Sequence, residues 1–179
     1  DEEWNQIKSL VPAAKSGKGR RGRPSVDRRT LVNAIFYSVR AGCAWRLLPE
    51  DFPPWQTVYG YFRRWSQDWT WTFIHDTLRD WLRKTEGRKV APTAAIVDSQ
   101  SVKTPDQAGE RGYDAGKKIK GRKRHLAVDT LGLVLAIMIT SAAVPDRDAA
   151  KGLIKGLAAR FGRLQIIWAD GGYLGALVG

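Results

Sequence analysis

The pattern of apolar and polar residues divides the chain into two parts with different periodicities. Up to about residue 85, apolar side chains recur every three or four positions, which is typical of amphipathic helices. After residue 93 the apolar residues form short runs that end in polar turns, which is typical of strands. The pattern therefore predicts an α+β fold, with a helical domain at residues 1–88 and a second domain at residues 93–179.

Residues that start and stop helices delimit three long helices in the first domain. They are expected at about residues 27–40, 55–68 and 72–84. Asp27 can accept the first amide protons of one helix, and Gly42 is suited to end it. Pro53 and Pro54 favour a helix start directly after them, because the first turn does not need an amide donor.

The two middle helices permit two interpretations. They could form a helix-turn-helix in which the 55–68 helix reads DNA bases. A plain helical bundle fits the same pattern equally well. Both interpretations leave Arg63 and Arg64 on the outer face of the 55–68 helix, where they could contact DNA.

A glycine- and arginine-rich segment, residues 15–24, interrupts the helical pattern. It contains five basic residues, no acidic residue and almost nothing to bury, so we expect a mobile arm. Its Arg20, Arg21 and Arg23 are spaced by glycine and suit a DNA backbone or minor groove. A solvated linker is an equally good interpretation of this stretch.

The second domain is predicted to contain three strands, a helix, a strand and the start of another helix. The strands are expected at about residues 94–98, 125–129, 133–140 and 164–169. A loop at residues 104–118 is expected between the first and second of them. This order, with the helix as a crossover, is the ribonuclease H-like arrangement. A right-handed crossover can place the fourth strand beside the first and parallel to it.

Two of these apolar runs end in an aspartate, at Asp98 and at Asp170. If the two strands are neighbours, their carboxylates lie close together. Carboxylates at such a spacing repel each other unless a cation lies between them. Alternatively, each aspartate only caps the turn that follows its strand.

The other candidate residues have simpler interpretations. Asp129 lies in a predicted hairpin turn and is expected to be structural. Asp146 and Asp148 precede a helix and are expected to cap it. His125 is isolated in a basic run, without a second histidine at ligand spacing, which argues against a metal role.

The charge of the chain indicates a polyanionic partner. It has 30 basic and 18 acidic side chains, a formal net charge of +12, and six basic residues among the eight at 117–124. Nucleic acid is the commonest partner of such a chain, although a membrane surface or a purely solubilising surface also fits. A single cysteine and the absence of a long apolar stretch predict a soluble cytosolic protein without disulfides or a membrane span.

Several longer stretches resemble one known family. They are Val97–Lys103, Arg111–His125 and Trp168–Tyr173 in the second domain, and Gly42–Pro49 with Phe52–Tyr59 in the first. They resemble the bacterial insertion-sequence transposases with an Asp-Asp-Glu catalytic set, and most closely the insertion-sequence family conventionally numbered five. The resemblance covers nearly all of the chain, with the motifs in the same order.

The resemblance implies an enzyme that cuts DNA at the ends of a mobile element and joins them to new DNA. Asp98 matches the first catalytic carboxylate and Asp170 the second, so both are implied as ligands of two Mg²⁺ or Mn²⁺ ions. The implied partners are the double-stranded DNA of the terminal inverted repeats and of the target, and a homodimer is compatible with this. The implied location is the cytoplasm, at the nucleoid.

Basic residues at the matching motifs are expected to contact DNA phosphates because of their charge. They are Lys103, Lys117, Lys118, Lys120, Arg122, Lys123 and Arg124. Arg63, Arg64 and the three arginines of the arm extend this set into the first domain.

One departure from the family concerns its third carboxylate, a glutamate on a later helix. The chain ends at Gly179 without such a stretch, and Glu110 is the only glutamate after residue 86. Glu110 lies in the predicted loop and is not expected to take that role. We therefore expect a transposase fragment that is inactive by itself, with one face of its sheet exposed.

A runner-up interpretation is a non-catalytic DNA-binding remnant of a transposase that occupies element ends. A third, a basic RNA-associated protein, fits the charge but leaves the pair of aspartates unexplained.

Overall fold

The computed structural model describes residues 2–13, 25–104 and 110–173. The chain divides into two compact units, Asp1–Leu78 and Arg79–Gly179, and each is considered by itself. The predicted arm at residues 15–24 lies outside the described residues. The domain boundary predicted between residues 88 and 93 stays a prediction, since the division into compact units falls earlier in the chain.

The first unit is helical, as the pattern predicts. Its helices are α1 (Glu2–Ile7), α2 (Arg28–Ala41), α3 (Trp55–Gln67) and the first part of α4 (Thr70–Thr85), with a short 3-10 helix at Trp45–Leu47. The two predicted end signals of α2 are confirmed. The Asp27 carboxylate accepts a hydrogen bond from the Thr30 amide at 2.9 Å, and Gly42 closes the helix with a φ of 63°.

The core of the first unit forms around α2 and α3. Leu31, Ile35, Val58 and Trp65 are buried in it, together with Ile74 from α4. The α4 helix shows a different buried face from the one that the pattern predicts.

The helical spacing of apolar residues predicts that Phe73 faces inward, and the apolar residues of the turn before α3 predict the same for Leu47. Both predictions are wrong, because these side chains are 57% and 72% exposed. Neighbouring residues of a helix point about 100° apart, so a core that takes Ile74 turns Phe73 toward solvent.

The second unit is a five-stranded sheet with one helix packed on it. Its elements are β1 (Ala94–Lys103), β2 (Gly112–Asp114), β3 (Ile119–Val128), β4 (Val134–Ser141), α5 (Asp146–Arg160) and β5 (Ile166–Ala169), followed by a 3-10 helix at Gly171–Tyr173. The strand order is β2-β3-β1-β5, and β4 pairs with β3. The β1–β5 pair is parallel, and every other pair is antiparallel.

This topology confirms the predicted α+β class and the placement of the last strand beside the first. Three details differ from the prediction. The first strand was expected to end at Asp98, but β1 continues to Lys103, so Asp98 lies in its middle. The expected loop at 104–118 contains the short strand β2, and the second long strand begins at Ile119 instead of near His125. The basic run can enter the strand because alternate side chains point to opposite faces, so most of its charges stay in water.

Helix α5 covers one face of the sheet. Ala95 and Val97 of β1 share a core with Leu153 and Leu157 of α5. The opposite face, here called the open face, carries exposed apolar side chains between 41% and 59% exposed: Ile96, Tyr113, Ile137, Ile139, Ile166 and Trp168. One exposed sheet face is what the sequence predicts for this domain.

A buried ion pair lies beside the turn that joins β3 and β4. Asp129 accepts hydrogen bonds from the amides of Leu131 and Leu133, at 2.8 and 2.9 Å, and pairs with the guanidinium of Arg83. Asp129 is therefore structural, as its place in a hairpin turn predicts.

Among the described residues, no helix combines the length and the apolar character needed to cross a membrane.

The capping role of Asp27 predicts a pH-dependent contribution to stability. Hydrogen bonds from Thr30 hold the pKa of Asp27 below its ordinary value of 3.8. A lowered pKa means that the contribution is complete above pH 3.8 and is lost as the pH falls through the pKa of the folded protein. Asp27→Ala should therefore cost about 1 kcal/mol at neutral pH and less near pH 2. Urea unfolding followed by tryptophan fluorescence at both pH values checks this, and an equal loss at both would contradict it.

Candidate active site

The parallel register of β1 and β5 places the two predicted aspartates side by side. Val97 lies opposite Ala169 in the last pair of the ladder. The residue after Val97 is Asp98, and the residue after Ala169 is Asp170. Neighbouring strands lie about 4.8 Å apart, so the two carboxylates project from adjacent positions, Asp98 in the middle of β1 and Asp170 directly after the end of β5.

Each of these carboxylates makes a local hydrogen bond with one of its oxygens. Asp98 Oδ1 accepts from the Ser99 amide at 2.7 Å, and Asp170 Oδ1 accepts from the Gly172 amide at 3.0 Å. The alternative in which each aspartate only caps the turn after it therefore accounts for one oxygen of each carboxylate. Within the described parts of the chain, the Oδ2 atoms have no hydrogen-bond partner and remain available to a ligand.

Tyr173 lies between the acidic residues and the core. Its side chain is buried, and its hydroxyl interacts with the Ser99 side chain, although no partner in the described residues lies in good hydrogen-bond geometry. Burial raises the pKa of Tyr173 to about 12, and the negative charges of Asp146, Asp98 and Asp170 contribute to the increase. Three carboxylates therefore lie near enough to this hydroxyl to act on it electrostatically.

Asp146 has a different role from the predicted one. The N-cap of α5 is Pro145, and no side chain caps that helix end, so the capping prediction for Asp146 and Asp148 is wrong. Asp146 is the first residue of α5, and its carboxylate lies 3.2 Å from the ammonium group of Lys123. Its side chain is only 19% exposed.

Glu110 does not join the aspartates. Its backbone carbonyl accepts a hydrogen bond from Arg122 at 2.9 Å, next to a surface formed by β4 residues such as Ile139 and Ser141. In the described ranges no three histidine, cysteine or acidic side chains are grouped so as to hold one metal ion. The structure thus brings Asp98 and Asp170 together, and in its described parts no third histidine, cysteine or acidic side chain is close enough to share a metal ion with them.

The basic run alternates between the two faces of β3. The paired positions Asp98–Leu126 and Gln100–Arg124 show that even-numbered residues of β3 share the face of Asp98. Lys120 and Arg124 are exposed there, and Arg124 donates a hydrogen bond to the Gln100 side chain at 2.7 Å. These cations lie on the open face, on the same side of the sheet as one of the two aspartates.

Lys123 points to the other face and is buried. Its ammonium group donates to the Val144 carbonyl at 3.0 Å and lies 3.2 Å from Asp146 and 3.7 Å from Asp114. With 8% of its side chain exposed, it is not presented to a DNA phosphate. Lys123 is therefore not among the proposed DNA contacts, because Asp114 and Asp146 already neutralise its charge inside the unit.

The remaining predicted DNA contacts are on the surface where the structure describes them. Lys103, Lys117, Lys118, Arg63 and Arg64 are all exposed. Arg64 lies over the ring of Tyr61, 5.1 Å from its centroid. Arg20, Arg21 and Arg23 lie outside the described residues.

His125 is fully buried between β1 and β4. One ring nitrogen, Nε2, lies 2.9 Å from the Thr140 hydroxyl, and Nδ1 has no partner among the described residues. Burial lowers the pKa of His125 from its ordinary 6.5; Asp146 opposes this, and Lys123 adds to it. The ring therefore stays neutral at physiological pH.

Sequence reasoning missed Asp146 and Tyr173 as neighbours of the site. The proline at position 145 is the one available signal, because a proline before Asp146 can occupy the helix boundary and leave the aspartate inside the first turn. No sequence signal places Tyr173, since its position depends on the turn after Asp170.

Two family models together span the chain. Residues 1–92 match the model that describes transposases of the IS4/5 family, and residues 90–178 match the model of the transposase DDE domain. The DDE domain has the ribonuclease H-like fold that the strand order predicts, so the two findings agree.

Two relatives share part of the chain. The uncharacterized protein y4sN of Sinorhizobium fredii is 34% identical over 67 residues, which cover 37% of this chain and 51% of that protein. A 16.2 kDa protein of insertion element IS402 from Burkholderia cepacia is 28% identical over 122 residues, which cover 66% of this chain and 76% of that protein. The chain thus matches about half the length of the first relative. No solved structure matches the chain significantly.

The buried position of Lys123 predicts a large loss of stability on its removal. Lys123→Met leaves Asp114 and Asp146 without their buried partner, which should cost about 3–5 kcal/mol. The matched control is Lys120→Met on the exposed face of the same strand, which should change stability by no more than about 0.5 kcal/mol. Amide hydrogen exchange in β1 and β3 measures both changes, and similar losses for both variants would contradict the burial of Lys123.

Proposed function

The chain belongs to the IS4/5 transposase family, and we propose that it binds double-stranded DNA at the terminal inverted repeats of an insertion sequence for metal-dependent strand cleavage and transfer. The observation that supports this most directly is the register of β1 and β5, which sets Asp98 beside Asp170. A reaction on DNA phosphates needs hard oxygen ligands at a fixed spacing, and two neighbouring strands provide a rigid base for them.

The residues at this site fit a divalent cation such as Mg²⁺ or Mn²⁺. Asp98 and Asp170 offer carboxylate oxygens, and each has used only one of them for a backbone hydrogen bond. A cation between them would relieve the repulsion of the two charges. When bound as a pair, the ions activate the attacking oxygen and stabilise the leaving one. The protein itself would hold the two carboxylates at adjacent positions through the pairing of β1 with β5.

The charge distribution supports the proposed DNA contact. Lys120 and Arg124 are exposed on the face that also carries Asp98, so a phosphate backbone bound to them would pass the carboxylate. We include Arg122 in this set, as well as Lys103, Lys117, Lys118, Arg63, Arg64, Arg20, Arg21 and Arg23. A second copy of the chain at the other element end would form a homodimer, and the site of action would be the bacterial nucleoid.

The alternative function is that of a DNA-binding remnant without catalytic activity. The observation that favours it is that no third acidic ligand is grouped with the aspartates in the described parts of the chain. The two functions share the DNA surface and differ in whether the aspartates support chemistry.

The two aspartates should be essential for strand cleavage. With DNA that carries the element ends and with Mn²⁺, we expect a version of the protein that also carries the family's third carboxylate to nick the strand at the end, whereas this chain alone should be inactive. Asp98→Asn and Asp170→Asn should each reduce the rate about 100-fold or more, because each removes a ligand charge. Asp148→Asn, an exposed aspartate on α5, is the matched control and should leave the rate unchanged.

Gel electrophoresis of end-labelled DNA measures the rate. Cleavage that survives both substitutions would show that the catalytic assignment is wrong. Tight binding to the element ends without any cleavage, even by the version that carries a third carboxylate, would favour the DNA-binding remnant.

The exposed cations of β3 should contribute to the salt dependence of DNA binding. Lys120→Gln and Arg124→Gln should each reduce the slope of log K against log salt concentration by about 0.9, the value for one lost phosphate contact. Lys155→Gln, an exposed lysine of α5 on the other side of the sheet, is the control and should leave the slope unchanged. Fluorescence anisotropy over a salt series checks this, and equal slopes for all variants would place the DNA elsewhere.

A further inference from the structure

We propose that Asp146 is a third carboxylate of the Asp98/Asp170 site, held in place by the buried Lys123, and that it increases the affinity of the site for a divalent cation. This inference rests on the proposed function, because it assigns a further residue to the same site. The family's third carboxylate is a glutamate on a later helix, whereas Asp146 begins the crossover helix α5.

The space beside Gly172 connects Asp146 with Asp170. A Cβ atom on Gly172 would lie 3.2 Å from Asp170 Oδ1 and 3.5 Å from Asp146 Oδ2. Both carboxylates therefore face the small volume that the missing side chain leaves open. Residue 172 is in the 3-10 turn that directly follows the strand carrying Asp170.

Tyr173 is an independent sign that this space is polar and incomplete. Its side chain is 6% exposed, and apart from an interaction with the Ser99 side chain its hydroxyl has no partner in good hydrogen-bond geometry in the described parts of the chain. A buried hydroxyl without a partner is costly, which is why such groups usually face a water or a ligand. The charges of Asp146, Asp98 and Asp170 all act on this hydroxyl, so all three carboxylates lie within electrostatic reach of it.

Lys123 pairs with Asp146 and fixes the position of its carboxylate. The lysine lies 3.2 Å from Asp146 Oδ1 and is fixed by its hydrogen bond to the Val144 carbonyl. The pairing leaves Asp146 Oδ2 directed toward Gly172 and Asp170. Lys123 is thus a positioning residue, and the neutral His125 beside it adds no competing charge.

The three carboxylates are too far apart to bind one ion as a common first shell, since no such group of three exists among the described residues. Asp146 would therefore act through its charge and through water. Magnesium favours this arrangement, because it usually keeps several of its waters and lets outer carboxylates accept hydrogen bonds from them.

The test measures cation binding instead of activity. Isothermal titration of the chain with Mn²⁺ alone gives the dissociation constant for the unmutated protein and for Asp146→Asn. We expect Asp146→Asn to weaken binding about tenfold, the size expected for one charge a few ångströms away in a partly hydrated site. Asp146→Glu, which keeps the charge, should recover most of the affinity.

Asp148→Asn is the matched control, because it removes an equal charge two residues along the same helix from an exposed position. It should change the dissociation constant by less than about twofold, since solvent screens its charge. Equal effects of Asp146→Asn and Asp148→Asn would overturn the proposal, because they would show only a general field of the helix end.

Asp170→Asn separates the inference from the proposed function. If Asp170→Asn weakens Mn²⁺ binding and Asp146→Asn does not, Asp146 is not part of the site and the proposed function survives. If neither substitution matters, the metal site itself is wrong. Should Asp146→Asn fail to fold, ¹³C NMR of the unmutated chain replaces it: the carboxylate carbon of Asp146 should shift on saturation with Mg²⁺, and a shift at Asp170 alone would overturn the inference.

Discussion

The candidate site depends on the pairing of two parallel strands, β1 and β5. Parallel neighbours require a crossover, and here α5 provides it by packing Leu153 and Leu157 on the sheet. A slip of one residue would turn Asp98 or Asp170 to the opposite face. The burial of Val97 beneath α5 resists that slip, because the same slip would expose it. The core therefore specifies the carboxylate pair as strictly as it specifies its own packing.

Buried charges determine what lies around that pair. Lys123 is held between Asp114 and Asp146, and Arg83 is held by Asp129. Such pairs contribute less to net stability than their Coulomb attraction suggests, because both charges lose their water. Their removal is costly all the same, so they fix positions more than they add stability. For Asp146 this means a charged carboxylate that stays directed at the turn after β5.

The two faces of the sheet separate packing from recognition. One face is closed by α5, while the other exposes apolar side chains beside Lys120 and Arg124. A mixed surface of this kind can bind a phosphate backbone through its cations and still contact bases or sugars through its rings. Asp98 is on this surface, so the proposed DNA contact and the proposed chemistry would lie in one place.

Local signals in the sequence were sufficient for the α+β class and the caps of α2 at Asp27 and Gly42, and the predicted strand order put Asp98 beside Asp170 although Asp98 lies in the middle of β1. These features depend on a few neighbouring residues, or on a strand order that allows few topologies. Local signals failed for Phe73 and for Lys123. A helix pattern does not say which of two apolar neighbours meets the core, and a run of charges does not say which side chain turns inward. Only the tertiary structure decided that Lys123 is buried against Asp146, since that contact joins residues far apart in the chain.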